Sequence, residues 1–163
     1  MGRNGTRCVG TVLPLLLIAS GCGQRGNVEV DRTADEAAIR AIVAANIAAS
    51  SARDPVSVQE TYMPNGDAWI AGLARVSTRG ELVDAEAEFQ ALPGFQRFEG
   101  EIESIRFISR DAAIAEMSAT TILDSGEFDE ETTLVVARTE SGWKIAAWRV
   151  MTFDPTLLEI LRQ

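Results

Sequence analysis

The chain has 163 residues, 46% hydrophobic and 24% charged, and its 24 acidic side chains outweigh 15 basic ones for a formal charge of −9. A globular chain of this length buries about 70% of its unfolded surface around one core, so a second domain is not expected. So acidic a surface disfavours nucleic acid as a partner, and a sequence without histidine has no imidazole to bind zinc.

Arg3 and Arg7 precede an apolar run over residues 9–18, which closes in Ile18-Ala19-Ser20-Gly21-Cys22. Basic, apolar and small-residue regions in this order read as an export signal. The run falls short of the ~20 residues of a spanning helix. With its cysteine it resembles a bacterial lipoprotein lipobox, although Ala19 stands where leucine is commonest. The resemblance implies cleavage before Cys22, diacylglycerol on its sulfur and an acyl group such as palmitate on the new amine, the two lipid signals that stable anchoring needs. A plain secretory signal and an uncleaved membrane helix are the competing readings. Residues 1–21 are thus expected to be a signal, 22–32 a flexible polar tether and 33–163 the domain. Cleavage would take two arginines and no acid, leaving a formal charge of −11. Cys8 would leave with the signal, so the mature domain has no cysteine for a disulfide. The expected address is the cell envelope, with acyl chains holding the protein to the membrane. Gly23 replaces the aspartate that retains many lipoproteins in the inner membrane, which implies the periplasmic side of an outer membrane in a Gram-negative cell.

Thr33-Ala34-Asp35-Glu36 has capping-box spacing, and the helix it opens carries Ile39, Ile42, Val43 and Ile47 on one stripe. Asn46 shares that stripe, either as an internal hydrogen-bonder or as a cavity-lining residue. Asp54-Pro55 opens a second short helix, reaching Tyr62. Pro64-Asn65-Gly66-Asp67 then reads as a break, with Asp67 a turn residue, before a short strand at Ala68-Trp69-Ile70. Thr78-Arg79-Gly80-Glu81 repeats the capping-box spacing ahead of a helix that turns Leu82, Val83, Glu86 and Phe89 towards the core. Strands are predicted at 95–109, 112–123, 131–139 and 143–153, and a last helix at 156–162. Asp124, Glu127, Asp129, Glu130 and Glu131 read as a solvated acidic loop without calcium-loop spacing. Helices followed by an antiparallel sheet define an α+β class.

The last strand, read as GWKIAAWRVM from Gly142, organises the rest. Period-two alternation places Trp143, Ile145, Ala147, Arg149 and Met151 on one face and Lys144, Ala146, Trp148 and Val150 on the other. An arginine among core residues needs an internal acid, such as Glu116 or Glu131, or an anionic ligand. Trp148 and Val150 would then face outward as contacts for self-association.

In this order, Ala52-Arg53-Asp54, YMPNGDAWI from Tyr62 and GWKIAAW from Gly142 resemble the nuclear transport factor 2-like superfamily, within it the SnoaL-like and steroid-isomerase-like domains. The resemblance spans about residues 33–153. It implies a cone-shaped α+β fold, with N-terminal helices on a curved antiparallel sheet, a pocket between them, and a homodimer through the outer sheet face. Isomerases of the superfamily place a catalytic aspartate where this chain has Ala71-Gly72. Many relatives carry histidine where it has Arg149. The first expectation is therefore a lipid-anchored envelope domain, not a strong catalyst and without cofactor or metal, holding a small, partly apolar molecule, anionic if Arg149 lines the pocket. Arg149, Tyr62, Trp69, Asn46 and Trp143 are the candidate lining residues. The alternative is a SnoaL-like isomerase, cyclase or dehydratase using Asp67 or Glu116 as its catalytic base. A third reading is an envelope interaction module.

Overall fold

A computed structural model describes residues 32–70 and 74–161. The expected signal, Cys22, the tether up to residue 31 and Ala71-Gly72 lie outside the described residues. Helix α1 (Thr33–Ser51) buries Ile39, Val43, Asn46 and Ser50 at three- and four-residue spacing. The capping box expected at Thr33 does not form: Arg32 is the N-cap and gives no side-chain cap bond. Asp35 of that first turn is engaged elsewhere, accepting from Arg32 at 3.2 Å, from Arg138 and from Trp143 Nε1 at 3.3 Å. These donors, Arg138 foremost, hold its carboxyl below the usual range. They tie the helix start to the far end of the sheet.

Helix α2 (Pro55–Glu60) is capped by Asp54, whose carboxylate accepts from Ser57 N at 3.0 Å. It stops short of Tyr62, which opens strand β1 (Tyr62–Ile70). The expected break at Pro64-Asn65-Gly66-Asp67 therefore lies inside a strand. The sequence there does disturb pairing, since the register slips between Tyr62 and Asp67. A Cβ on Gly66 would sit 3.0 Å from the Ile145 carbonyl oxygen, so glycine permits the close approach of the two backbones. After β2 (Ala74–Val76) comes α3 (Arg79–Gln90), where the capping box is present: Thr78 Oγ1 accepts from Glu81 N at 3.2 Å, and Glu81 accepts from Thr78 N at 3.1 Å.

Four long strands follow, β3 (Phe95–Phe107), β4 (Ala112–Leu123), β5 (Gly126–Thr139) and β6 (Gly142–Phe153), then helix α4 (Pro155–Leu161). The sheet order is β2-β1-β6-β5-β4-β3. It is mixed, because β1 pairs parallel to β6 while every other pair is antiparallel. Strand β2, helix α3 and strands β3 to β5 lie between β1 and β6, and a parallel pairing of β1 with the last strand needs such a long connection. The core fills the space between helices and sheet, with Ile39, Leu134, Val136 and Ile145 wholly buried.

Two strands depart from the predicted pattern in ways that decide the site. Strand β5 begins five residues earlier than expected, at Gly126. The acidic loop is thus mostly strand, with Glu127, Asp129 and Glu131 exposed while Phe128, Glu130 and Thr132 are buried. On β6, Val135 pairs with Ala147 and Val136 with Ile145, which leaves Ala146 as an extra residue. Such a bulge reverses the face of the side chains beyond it, here as far as the second register shift between Val150 and Thr152. Trp143 and Ile145 are buried before it, and Trp148 and Val150 after it. Arg149 and Met151 consequently turn to the opposite side from the one that strict alternation gives them.

Candidate functional site

Between the helices and the inner face of the sheet lies a cavity of about 380 Å³. Val58 from α2, Leu82 and Phe89 from α3, Phe98 from β3 and Trp148 and Val150 from β6 make it largely apolar. Its polar groups are Asn46 and Ser50 from α1, Tyr62 from β1, Glu86 and Glu88 from α3, and Glu130 from β5. No lysine or arginine is among the described lining residues.

Helical spacing brings Ser50, Glu86 and Gln90 together: Ser50 Oγ donates to Glu86 Oε1 at 2.5 Å and Gln90 Nε2 to the same oxygen at 2.8 Å. Burial nevertheless outweighs these donors and raises the Glu86 pKa. Glu130 is 5% exposed and receives one hydrogen bond, from Thr121 Oγ1 at 3.2 Å. Burial, reinforced by repulsion from Glu86, pushes its pKa up to about 7. Burial also raises the Tyr62 phenol, with Glu86 adding to the effect, so it stays protonated. Asn46 is fixed by its neighbour. Thr61 Oγ1 donates to the Val58 carbonyl at 2.6 Å and so accepts from Asn46 Nδ2 at 2.8 Å. The arrangement supplies two carboxyl groups on one apolar chamber, both with pKa raised by burial, Glu130 to about 7. Such groups can give or take a proton.

Of the residues singled out from sequence, Tyr62 and Asn46 lie on the cavity wall. Trp143 is buried, but against Phe107 and Arg138 instead of the cavity. Trp69 is 49% exposed on β1. Arg149, turned by the Ala146 bulge, donates from Nη2 to both carboxylate oxygens of Asp67, each at 2.8 Å, and from Nη1 to the Trp148 carbonyl at 2.9 Å. Its acid is therefore Asp67, not Glu116 or Glu131. The same pairing occupies Asp67, which does not line the cavity. Glu116 is exposed on the outer face, accepting from Thr133 at 2.7 Å. An anionic guest, expected from Arg149, thus meets no cation on the described wall. Trp148 and Val150, expected outside as dimer contacts, are buried against the cavity. Among the described residues no group of three or more acidic, histidine or cysteine side chains is placed to hold a metal ion.

Glu86 and Glu130 are the functional candidates that sequence reasoning passed over. Glu86 was visible as a polar residue on the core stripe of α3. Glu130 shares its parity with Phe128, Thr132, Leu134 and Val136, a signal hidden by the acids on either side.

The architecture is that of the nuclear transport factor 2-like fold, helices packed on a curved mixed sheet. No family model and no curated protein matches the chain. Solved structures do. A ketosteroid isomerase-like protein from Erwinia carotovora atroseptica superimposes with a TM-score of 0.61 at 19% identity, over 71% of this chain and 95% of that one. An NTF-2-like protein of unknown function from Shewanella oneidensis gives 0.61 at 14% identity over 71% and 98%. A type 2 hexachlorocyclohexane dehydrochlorinase gives 0.59 at 17% over 77% and 90%.

Proposed function

We propose that the domain takes a small, mostly apolar molecule into this cavity and that Glu86 and Glu130 exchange a proton with it. The observation that carries the reading is the pair of carboxyl groups on an apolar wall, one of them 5% exposed with a single hydrogen bond. Purely structural glutamates are rarely so deeply buried without a cationic partner. The fold neighbours include a ketosteroid isomerase-like protein and a dehydrochlorinase, and reactions of those kinds move a proton at carbon. This favours the isomerase or dehydratase alternative over a purely passive binder, with Glu130 as acid–base in place of Asp67 or Glu116. Screening small, mostly apolar molecules, amines among them, for a thermal shift, then following solvent deuterium uptake at carbon into any that bind, tests it. Binding with deuterium uptake that Glu130→Gln abolishes is the expected result. Binding without exchange would leave a carrier and remove the catalytic half.

Lipid anchoring through Cys22 and an envelope address belong to the same proposal and rest on the leader residues. The mass of the peptide beginning at Cys22 in cell membranes checks them: no added acyl mass would overturn both.

A further inference from the structure

The open polar atoms of the cavity are unbalanced. Both donors to Glu86 converge on Oε1, and Thr121 donates to Oε1 of Glu130, so the Oε2 atom of each has no hydrogen bond to a described residue. Because Thr61 has spent its own proton on Val58, Asn46 must turn its nitrogen to Thr61, and Oδ1 has no partner among the described residues. Against these acceptors, the Tyr62 hydroxyl is a donor with no partner among the described residues, on a side chain 6% exposed. A guest that completes this wall must bring more donors than acceptors. Charge points the same way, since the groups facing Glu130 are Glu86 and Glu88 from α3 and Tyr62 from β1, with no cation among the described lining residues. The aromatic side chains of Tyr62, Phe98 and Trp148 line the same cavity.

We propose that the guest is an organic cation, a small amine whose ammonium lies between Glu86 and Glu130 and whose apolar body lies against Phe98 and Trp148. This rests on the cavity being a binding site, as proposed above, and adds the charge of what it takes. An ammonium carries three donors and no acceptor, which matches the free Oε2 atoms and Asn46 Oδ1. It also removes the repulsion that hinders joint ionisation of the two acids. Binding must then expel the proton that Glu130 holds when the cavity is empty, so affinity rises with pH until Glu130 is ionised, near its value of about 7, and levels off above.

Three probes of matched size distinguish the possibilities: phenethylamine, phenethyl alcohol and phenylacetate, titrated calorimetrically into the full chain. At about pH 8 the amine is expected to bind at least ~10-fold more tightly than the alcohol, with this margin shrinking at about pH 5.5. Glu130→Gln should remove most of the margin while alcohol binding persists, and Glu116→Gln, on the outer face, should leave it intact. Should Glu130→Gln fail to fold, the pH dependence of the wild-type margin decides alone. Alcohol or phenylacetate binding as tightly as the amine at both pH values would overturn the cation assignment and leave the cavity reading standing. Binding of none of the three would end both.

Discussion

The two faces of the sheet treat their acids in opposite ways. On the outer side, both carboxylate oxygens of Asp67 accept from Arg149 Nη2 at 2.8 Å, and Arg75 lies 3.8 Å from the same carboxylate. On the inner side, Glu130 is more deeply buried yet has only a threonine, and burial, with a second acid adding to it, raises its pKa. A matched charge is how a fold accommodates a carboxylate, whereas an unmatched one costs stability that only use explains. The outer acid is thereby matched by the architecture, and the unmatched inner one is what the proposed function uses.

The largest blow to this division should come from deleting Ala146. Without the extra residue, β6 regains strict alternation, and Trp148 and Val150 would exchange faces with Arg149 and Met151. Two large apolar side chains would leave the core and an arginine would enter it. The expected loss exceeds about 5 kcal/mol, enough to abolish cooperative unfolding in a chain of this size. A sharp thermal transition close to that of the parent would mean that the bulge does not set the faces.

That deletion also shows where sequence reasoning reached its limit. The helices, the long strands and the fold class were legible, because capping at Asp54 and Thr78 and apolar stripes are local signals. The bulge was not, since Ala146-Ala147 offers two small residues, either of which fits a pleat. Its effect propagated: one unseen residue moved Arg149 from cavity to outer face and Trp148 in the reverse direction. Strand β5 failed for another reason. Its outward side chains are nearly all acidic over Glu127 to Glu131, and charge density read as loop although the alternate positions carry Phe128, Glu130 and Thr132.

On the inner face the next effect is a pH dependence. Glu130 rises from an ordinary 4.5 to about 7, so the folded state holds its proton more tightly than the unfolded chain does. Below about pH 4.5 both states are protonated and burial of this group costs little. As pH climbs through the window from 4.5 to 7, the unfolded chain ionises first and folding stability falls; above 7 the loss is complete. At ~1.4 kcal/mol per unit, the loss is about 3 kcal/mol. Glu86 contributes in the same direction. Glu130→Gln should therefore stabilise the protein by about 2–3 kcal/mol at pH 8 and hardly at all at pH 4.5. Urea unfolding across this range measures it, and a Glu130→Gln variant less stable than the parent at pH 8 would show that the carboxylate is matched after all.

The smallest of the three effects belongs to the outer face and completes the comparison. Arg149 and Asp67 are 28% and 19% exposed, so neither is fully desolvated and their pairing is worth less than a deeply buried one. Methionine at position 149 keeps most of the side chain's reach and loses its donors to Asp67 and to the Trp148 carbonyl. Arg75, 74% exposed and 3.8 Å from Asp67, can partly take over. Together these bound the cost of Arg149→Met at about 1–3 kcal/mol, the range for charge-assisted hydrogen bonds. Lysine should recover only part of it, because a single ammonium on Asp67 cannot also keep the separate Nη1 bond to the Trp148 carbonyl. Since the pair lies outside the cavity wall, binding of any cavity guest should change by less than about twofold. A variant with full stability and weakened guest binding would reverse the assignment of the two faces, placing Arg149 with the site and leaving Asp67 as an ordinary surface acid.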